Sequence, residues 1–179
     1  MILDAVKIAL CVFVLAVLEV AATPQITPFG GGPDLIVILV VALALWRGVE
    51  AAAVAGFAGG LLLDAVTFEH LGMASLVYVG VAWAVATYSR RREAGPGMLE
   101  PPPPRALPWL LAGATAAQLG SLVLHVLLGD HPAPAVLFWH QIAPAILQTT
   151  LIGLALLPVL RRIFRPPSAM SHVPRIATA

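Results

Sequence analysis

Apolar runs recur along this chain from one end to the other, several of them near the length of about 20 residues that carries a helix across a bilayer. No other feature restricts its fold as strongly. In hydrocarbon no water pairs with backbone N–H and C=O groups, so each run must satisfy its own, as a helix does. Apolar residues make up 60% of the chain and charged residues 11%, against about 25% charged in a soluble domain. The expected class is an all-α polytopic membrane protein, with its polar parts confined to loops and tails.

Six segments are expected, at residues 3–22, 33–46, 49–64, 72–89, 106–128 and 136–160. Together they define one transmembrane domain over residues 1–165. The first competes with a signal peptide ending at Val20-Ala21-Ala22. Asp4, Glu19, the thin basic region and the length of the run favour a retained helix. Thr23 to Gly32 reads as a breaker-rich loop with Pro24, Pro28 and three glycines. Pro33-Asp34 opens the second segment, where proline suits a first turn and an acidic residue suits the helix dipole. Arg47-Gly48 closes it, which gives a tight hairpin into the third. Ser89 to Arg92 ends the fourth segment. Residues 90–105 form a linker in which Pro101 to Pro104 favour polyproline II over helix. Residues 166–179 are expected to be a disordered tail. Cys11 is the sole cysteine, so no disulfide forms within the chain, and it reads as a small core residue.

The ten basic residues fix an expected orientation. With the N-terminus inside, Lys7, Arg47, Arg90 to Arg92, Arg105, Arg161, Arg162, Arg165 and Arg175 all fall on the cytoplasmic side. The outer loops then hold Glu69, His70, Asp130 and His131. Six helices with both ends in the cytoplasm satisfy every basic residue. In a bacterium this is the inner membrane.

Ala52, Gly56, Gly60 and Asp64 recur every fourth position and share one helix face. Gly56-x-x-x-Gly60 admits a close helix neighbour, from this chain or from another protein. Asp64 stands at the outer end of the third segment, against the helix dipole and with no basic residue on its side. It reads either as a turn cap that accepts N–H bonds from residues 66–67, or as a contact for a partner or ligand, or as an intramembrane ion site. Thr115, Gln118 and His125 on the fifth segment, and His140, Gln141, Gln148 and Thr149 on the sixth, read as interhelical hydrogen-bonding groups. A polar substrate pocket is the sharper reading of the same set.

Catalytic signatures are absent from the sequence. There is no G-x-S-x-G, no H-E-x-x-H, no phosphate-binding glycine loop and no second aspartate to serve an intramembrane aspartyl protease beside Gly129-Asp130. His70, His131 and His140 lack the spacing of a helical zinc site. Neither enzyme activity, metal, cofactor nor nucleic acid is expected.

Pro33-Asp34-Leu35, Arg47-Gly48, Gly56-Phe57-x-x-Gly60-Leu61-x-x-Asp64 and Leu71-Gly72 follow one another in an order that resembles the MreD family. The likeness is concentrated in residues 33–88, and residues 106–165 match only in hydropathy. It implies a non-enzymatic membrane scaffold of the rod-shape and cell-elongation machinery. The implied partners are MreC most directly, with MreB, RodA and a class B transpeptidase in the wider complex that builds the lateral peptidoglycan wall. It also implies a fold like that of the substrate-binding membrane subunits of energy-coupling-factor vitamin transporters, so a small-molecule transport subunit is the alternative. By the same resemblance Pro33, Asp34, Gly56, Gly60, Asp64 and Gly72 are the positions expected to matter, as partner interface or structural motif.

Overall fold

The computed structural model describes residues 2–26, 31–67, 71–93, 103–129 and 141–164. These form six helices: α1 Ile2–Ile26, α2 Leu35–Trp46, α3 Val49–Thr67, α4 Met73–Glu93, α5 Pro103–Leu127 and α6 Ala143–Phe164. The centre of the bundle is α2. It is apolar on every face, the pattern of a helix buried all round, and Ile36 to Leu43 have no accessible surface. It packs against all five other helices, which follow one another around it in the order α1, α3, α4, α5, α6. Three of them come close to α2 through a glycine: Gly59 faces Ile36, Gly113 faces Val41 and Gly153 faces Ile38.

The outside of the bundle is apolar too. Val6, Leu10 and Phe13 on α1, and Leu147 and Leu151 on α6, are each more than half exposed. A surface of this kind needs hydrocarbon around it. Helix α3, residues 106–127 of α5 and α6 are long and apolar enough to cross a membrane. With 12 residues, α2 reaches only about 18 Å at 1.5 Å per residue, well short of a hydrocarbon core of about 30 Å. The chain makes up part of the difference with Gly31 to Asp34, which enter α2 without helical structure. Gly31, Pro33 and Asp34 of this segment are buried. Non-helical backbone at such a depth is tolerated only when protein covers it.

Several boundaries differ from the sequence expectation. Helix α1 runs four residues past Ala22, and Pro24 removes one N–H bond from its last turn, which ends two residues later. Pro33 lies outside α2, and Asp34 is its N-cap in an extended conformation. Helix α4 continues through Arg90 to Arg92, where arginine is a good helix former and a cation suits the C-terminal dipole. Pro103 and Pro104 belong to the first turn of α5. Proline is tolerated there because those N–H groups have no helical partner in any case. Glu69, His70, Asp130, His131, His140, most of the 90–105 linker and the 166–179 tail lie outside the described residues.

Candidate functional site

The N-terminal end of α2 gathers the polar side chains of four elements. Asp34 is buried, and its Oδ1 accepts the N–H of Val37 at 2.9 Å. This is an N-cap bond, and it satisfies one of the donors that a helix start leaves over. Its Oδ2 accepts the hydroxyl of Tyr78 on α4 at 3.0 Å. Its own N–H donates to Thr149 Oγ1 on α6 at 2.9 Å. From α1, Glu19 Oε2 accepts the next two donors, the N–H groups of Leu35 at 2.9 Å and Ile36 at 3.1 Å. Two carboxylates therefore cap the first turn of α2, where the helix dipole favours negative charge. The knot ties α1, α4 and α6 to the central helix.

Beside it lies the α3–α4 clasp. A Cβ on Gly60 would stand 2.3 Å from the backbone nitrogen of Ser75, and one on Gly56 would stand 3.1 Å from Tyr78 Cβ. The glycine stripe is therefore covered by α4 of this same chain and offers no surface to a second protein. Ser75 Oγ donates to the carbonyl of Phe57 across the contact at 2.9 Å. Asp64, 2% exposed, caps the start of α4. Its Oδ2 accepts the N–H of Gly72 at 2.8 Å and that of Ala74 at 3.2 Å. The donors expected at residues 66–67 are replaced by donors across the turn, because α3 continues one turn past Asp64 to Thr67. Gly72 has φ +92, a left-handed conformation that glycine adopts without strain. Pro33, Asp34, Gly56, Gly60 and Asp64 are thus buried in one half of the bundle, whereas Gly72 serves the turn, with open space where a Cβ would stand.

The intramembrane polar set is mostly local. Thr115, Thr150 and His125 bond to the carbonyls of Leu111, Ile146 and Ser121, each four residues back in its own helix. This corrects the interhelical expectation for Thr115 and His125; Thr150 was not in that set. Thr149 alone of the expected set makes a described bond to another element, and Gln148 Oε1 is buried with no partner among the described residues. The residues that sequence reasoning passed over are Glu19 and Tyr78. An ionisable group inside an apolar run was the available signal for Glu19.

The opposite end of α2 is basic. Arg47 caps the helix and its Nη2 pairs with Asp4 Oδ1 of α1 at 2.8 Å. Contacts of Gly31 with Gln141, Asp34 with Thr149 and Ile38 with Gly153 show that α2 and α6 run in the same direction. Tyr78 beside Asp34 and Arg90 beside Gly48 show the same for α4. Lys7, Arg47, Arg90, Arg161 and Arg162 therefore share one end. Two apolar grooves lie on the outside. One of about 240 Å³ runs between α1 and α3, along Phe13, Val17, Leu62 and Val66. The other, about 410 Å³, runs between α4 and α5 along Gly80, Ala116, Leu119 and Gly120.

Taken together, fold and site define an all-helical membrane protein whose buried carboxylates serve its own backbone. Among the described residues no group of His, Cys, Asp and Glu is arranged to hold a metal ion. The family described as rod shape-determining protein MreD matches residues 2–95, just over half of the chain. The chain belongs to the MreD family, a structural, shape-determining family of membrane proteins. The matched region contains α1 to α4, and with them Glu19, Tyr78 and all six motif residues. Comparison with curated proteins and with solved structures finds no match.

Proposed function

We propose that the chain is a non-enzymatic scaffold of the bacterial cell-elongation machinery, and that MreC is its direct partner. Family membership carries this reading. In it, all six helices lie in the inner membrane and both ends face the cytoplasm, since the positive-inside rule draws the shared basic end to that side. MreB, RodA and a class B transpeptidase complete the assembly, and lateral peptidoglycan synthesis is the process supported. The commitment of Glu19, Asp34 and Asp64 to backbone N–H groups supports a structural role over a chemical one.

Since α4 covers the glycine stripe, a partner helix must use the outer faces. Full-length protein is expected to retain MreC on purification. Gly80→Leu and Ala116→Leu, in the α4–α5 groove, test whether that face is the one used. Cells depleted of the chain are expected to become round. Rod-shaped depleted cells, together with no capture of MreC by folded protein, would refute the proposal.

A transport subunit remains the second reading, favoured by one observation. The buried start of a short helix is a geometry in which transporters hold anionic substrates. Here the Glu19 carboxylate already occupies those N–H groups. A vitamin-like molecule retained by purified protein in native mass spectrometry would support transport over scaffolding.

A further inference from the structure

The turn between α2 and α3 has donors to offer and few acceptors of its own. Gly48 has φ +98, and a Cβ there would lie 2.5 Å from Arg90 Nη2. The Arg90 guanidinium thus rests over the turn, on a side chain that is otherwise exposed. No acceptor for it is found among the described residues. Arg47 uses Nη2 on Asp4, while its Nε and the indole Nε1 of Trp46 are buried without partners. Three unpaired N–H-bearing groups therefore belong to this turn and to the residue lying over it. Among the described side chains the nearby carboxylates are Asp4, already engaged with Arg47, and Glu50 in the first turn of α3. Lys7, Arg47 and Arg90 outweigh them.

A guanidinium over this turn with no anion among the described residues suits a phosphate contact, since its fork of donors matches phosphate oxygens. The surroundings select the source of that phosphate. Val54 on α3 and Trp83 and Tyr88 on α4, the helices that flank the turn, are each more than half exposed. They offer apolar and aromatic surface to acyl chains, and aromatic side chains of this kind gather at headgroup level. We propose that the α2–α3 turn, with Arg90 lying over it, binds the headgroup phosphate of an anionic phospholipid. Arg90 makes the contact, while Arg47 Nε and Trp46 Nε1 are buried in the bundle.

Native mass spectrometry of the full chain, with added phosphatidylglycerol or phosphatidylcholine, tests this. Phosphatidylglycerol is expected to be retained in preference to phosphatidylcholine. Arg90→Gln is expected to weaken retention about fivefold, the effect of one basic residue at an anionic surface. Arg162→Gln, exposed at the same end on α6, is expected to leave retention unchanged. Both substituted side chains are exposed, so both variants should unfold at the wild-type temperature. Unchanged retention in Arg90→Gln overturns the proposal. So does equal weakening in the two variants, which marks a diffuse basic field. Displacement of the lipid by millimolar inorganic phosphate also overturns it, by marking a site for a soluble anion.

Discussion

The two ends of α2 are built on opposite plans. At its N-terminus the polar side chains bond within the chain: Glu19 and Asp34 cap the first turn, Tyr78 and Thr149 close on Asp34, and Asp64 caps α4 nearby. At its C-terminus an ion pair ties Arg47 to Asp4, while Trp46 Nε1 and Arg47 Nε lack partners among the described residues. The difference follows from depth. In the interior of the bundle an unpaired polar group has no water to turn to, and the chain supplies partners for Glu19, Asp34, Tyr78 and Thr149, though not for Gln148 Oε1 among the described residues. Near the polar surface, exposed groups such as Arg90 reach water and lipid headgroups. The first end is therefore where substitution should damage folding. The second is where it should alter contact with the surroundings.

The largest loss is expected at the α3–α4 contact of the first end. Gly60→Val places a Cβ 2.3 Å from Ser75 N and 2.5 Å from Ser75 Cα. Backbone cannot swing aside as a flexible side chain can, so the helices must separate. Overpacking of this kind costs about 3 kcal/mol. Gly56→Ala meets Tyr78 at 3.1 to 3.2 Å, and a shift of a few tenths of an ångström relieves it, at below about 1 kcal/mol. Unfolding in detergent should rank the two variants in that order. Equal loss would mean that α4 does not cover the stripe.

Asp34→Leu comes next. It removes an N-cap, worth about 1 kcal/mol, and leaves the buried Tyr78 hydroxyl without its acceptor, worth about 1–3 kcal/mol. Asp34→Asn keeps an acceptor oxygen for Val37 and should lose about half as much. Glu19→Leu is expected to follow, because the N–H groups of Leu35 and Ile36 lose a shared acceptor but remain part of a helix start. Unfolding midpoints in the order Asp34→Leu, Glu19→Leu, wild type, from lowest to highest, would sharpen the contrast between the two ends. Wild-type stability in Asp34→Leu would break it.

Much of the first end was legible in the sequence, for physical reasons. Pro-Asp before an apolar run marks a helix start, and glycines four apart mark a close contact. The identity of the neighbour was not legible, because four-residue spacing gives a face and not its occupant. The partners of Glu19 were hidden for another reason. Its acceptor oxygen serves backbone N–H groups in a different helix, and a backbone donor leaves no mark in the sequence. The arginine run misled about the end of α4, since the same residues that mark a membrane boundary also propagate a helix. Pro103 and Pro104 misled in the opposite direction, because a proline run is read as a helix breaker until its place in the first turn is known.

The smallest effect is expected at the second end. The Asp4 and Arg47 side chains are 41% and 22% exposed, so water and salt screen their attraction. Asp4→Asn should lower the unfolding midpoint less than any substitution in the knot, and 0.5 M salt, where the screening length falls to about 4 Å, should abolish the difference. The sign is informative as well. Removing Asp4 releases Arg47 Nη2 and raises the positive excess around the α2–α3 turn, so retention of phosphatidylglycerol should rise as stability falls slightly. Opposite movement of the two readouts would separate a contact surface from a structural clasp. A parallel fall in both would make the Asp4–Arg47 pair part of the folding machinery and erase the contrast between the ends of α2.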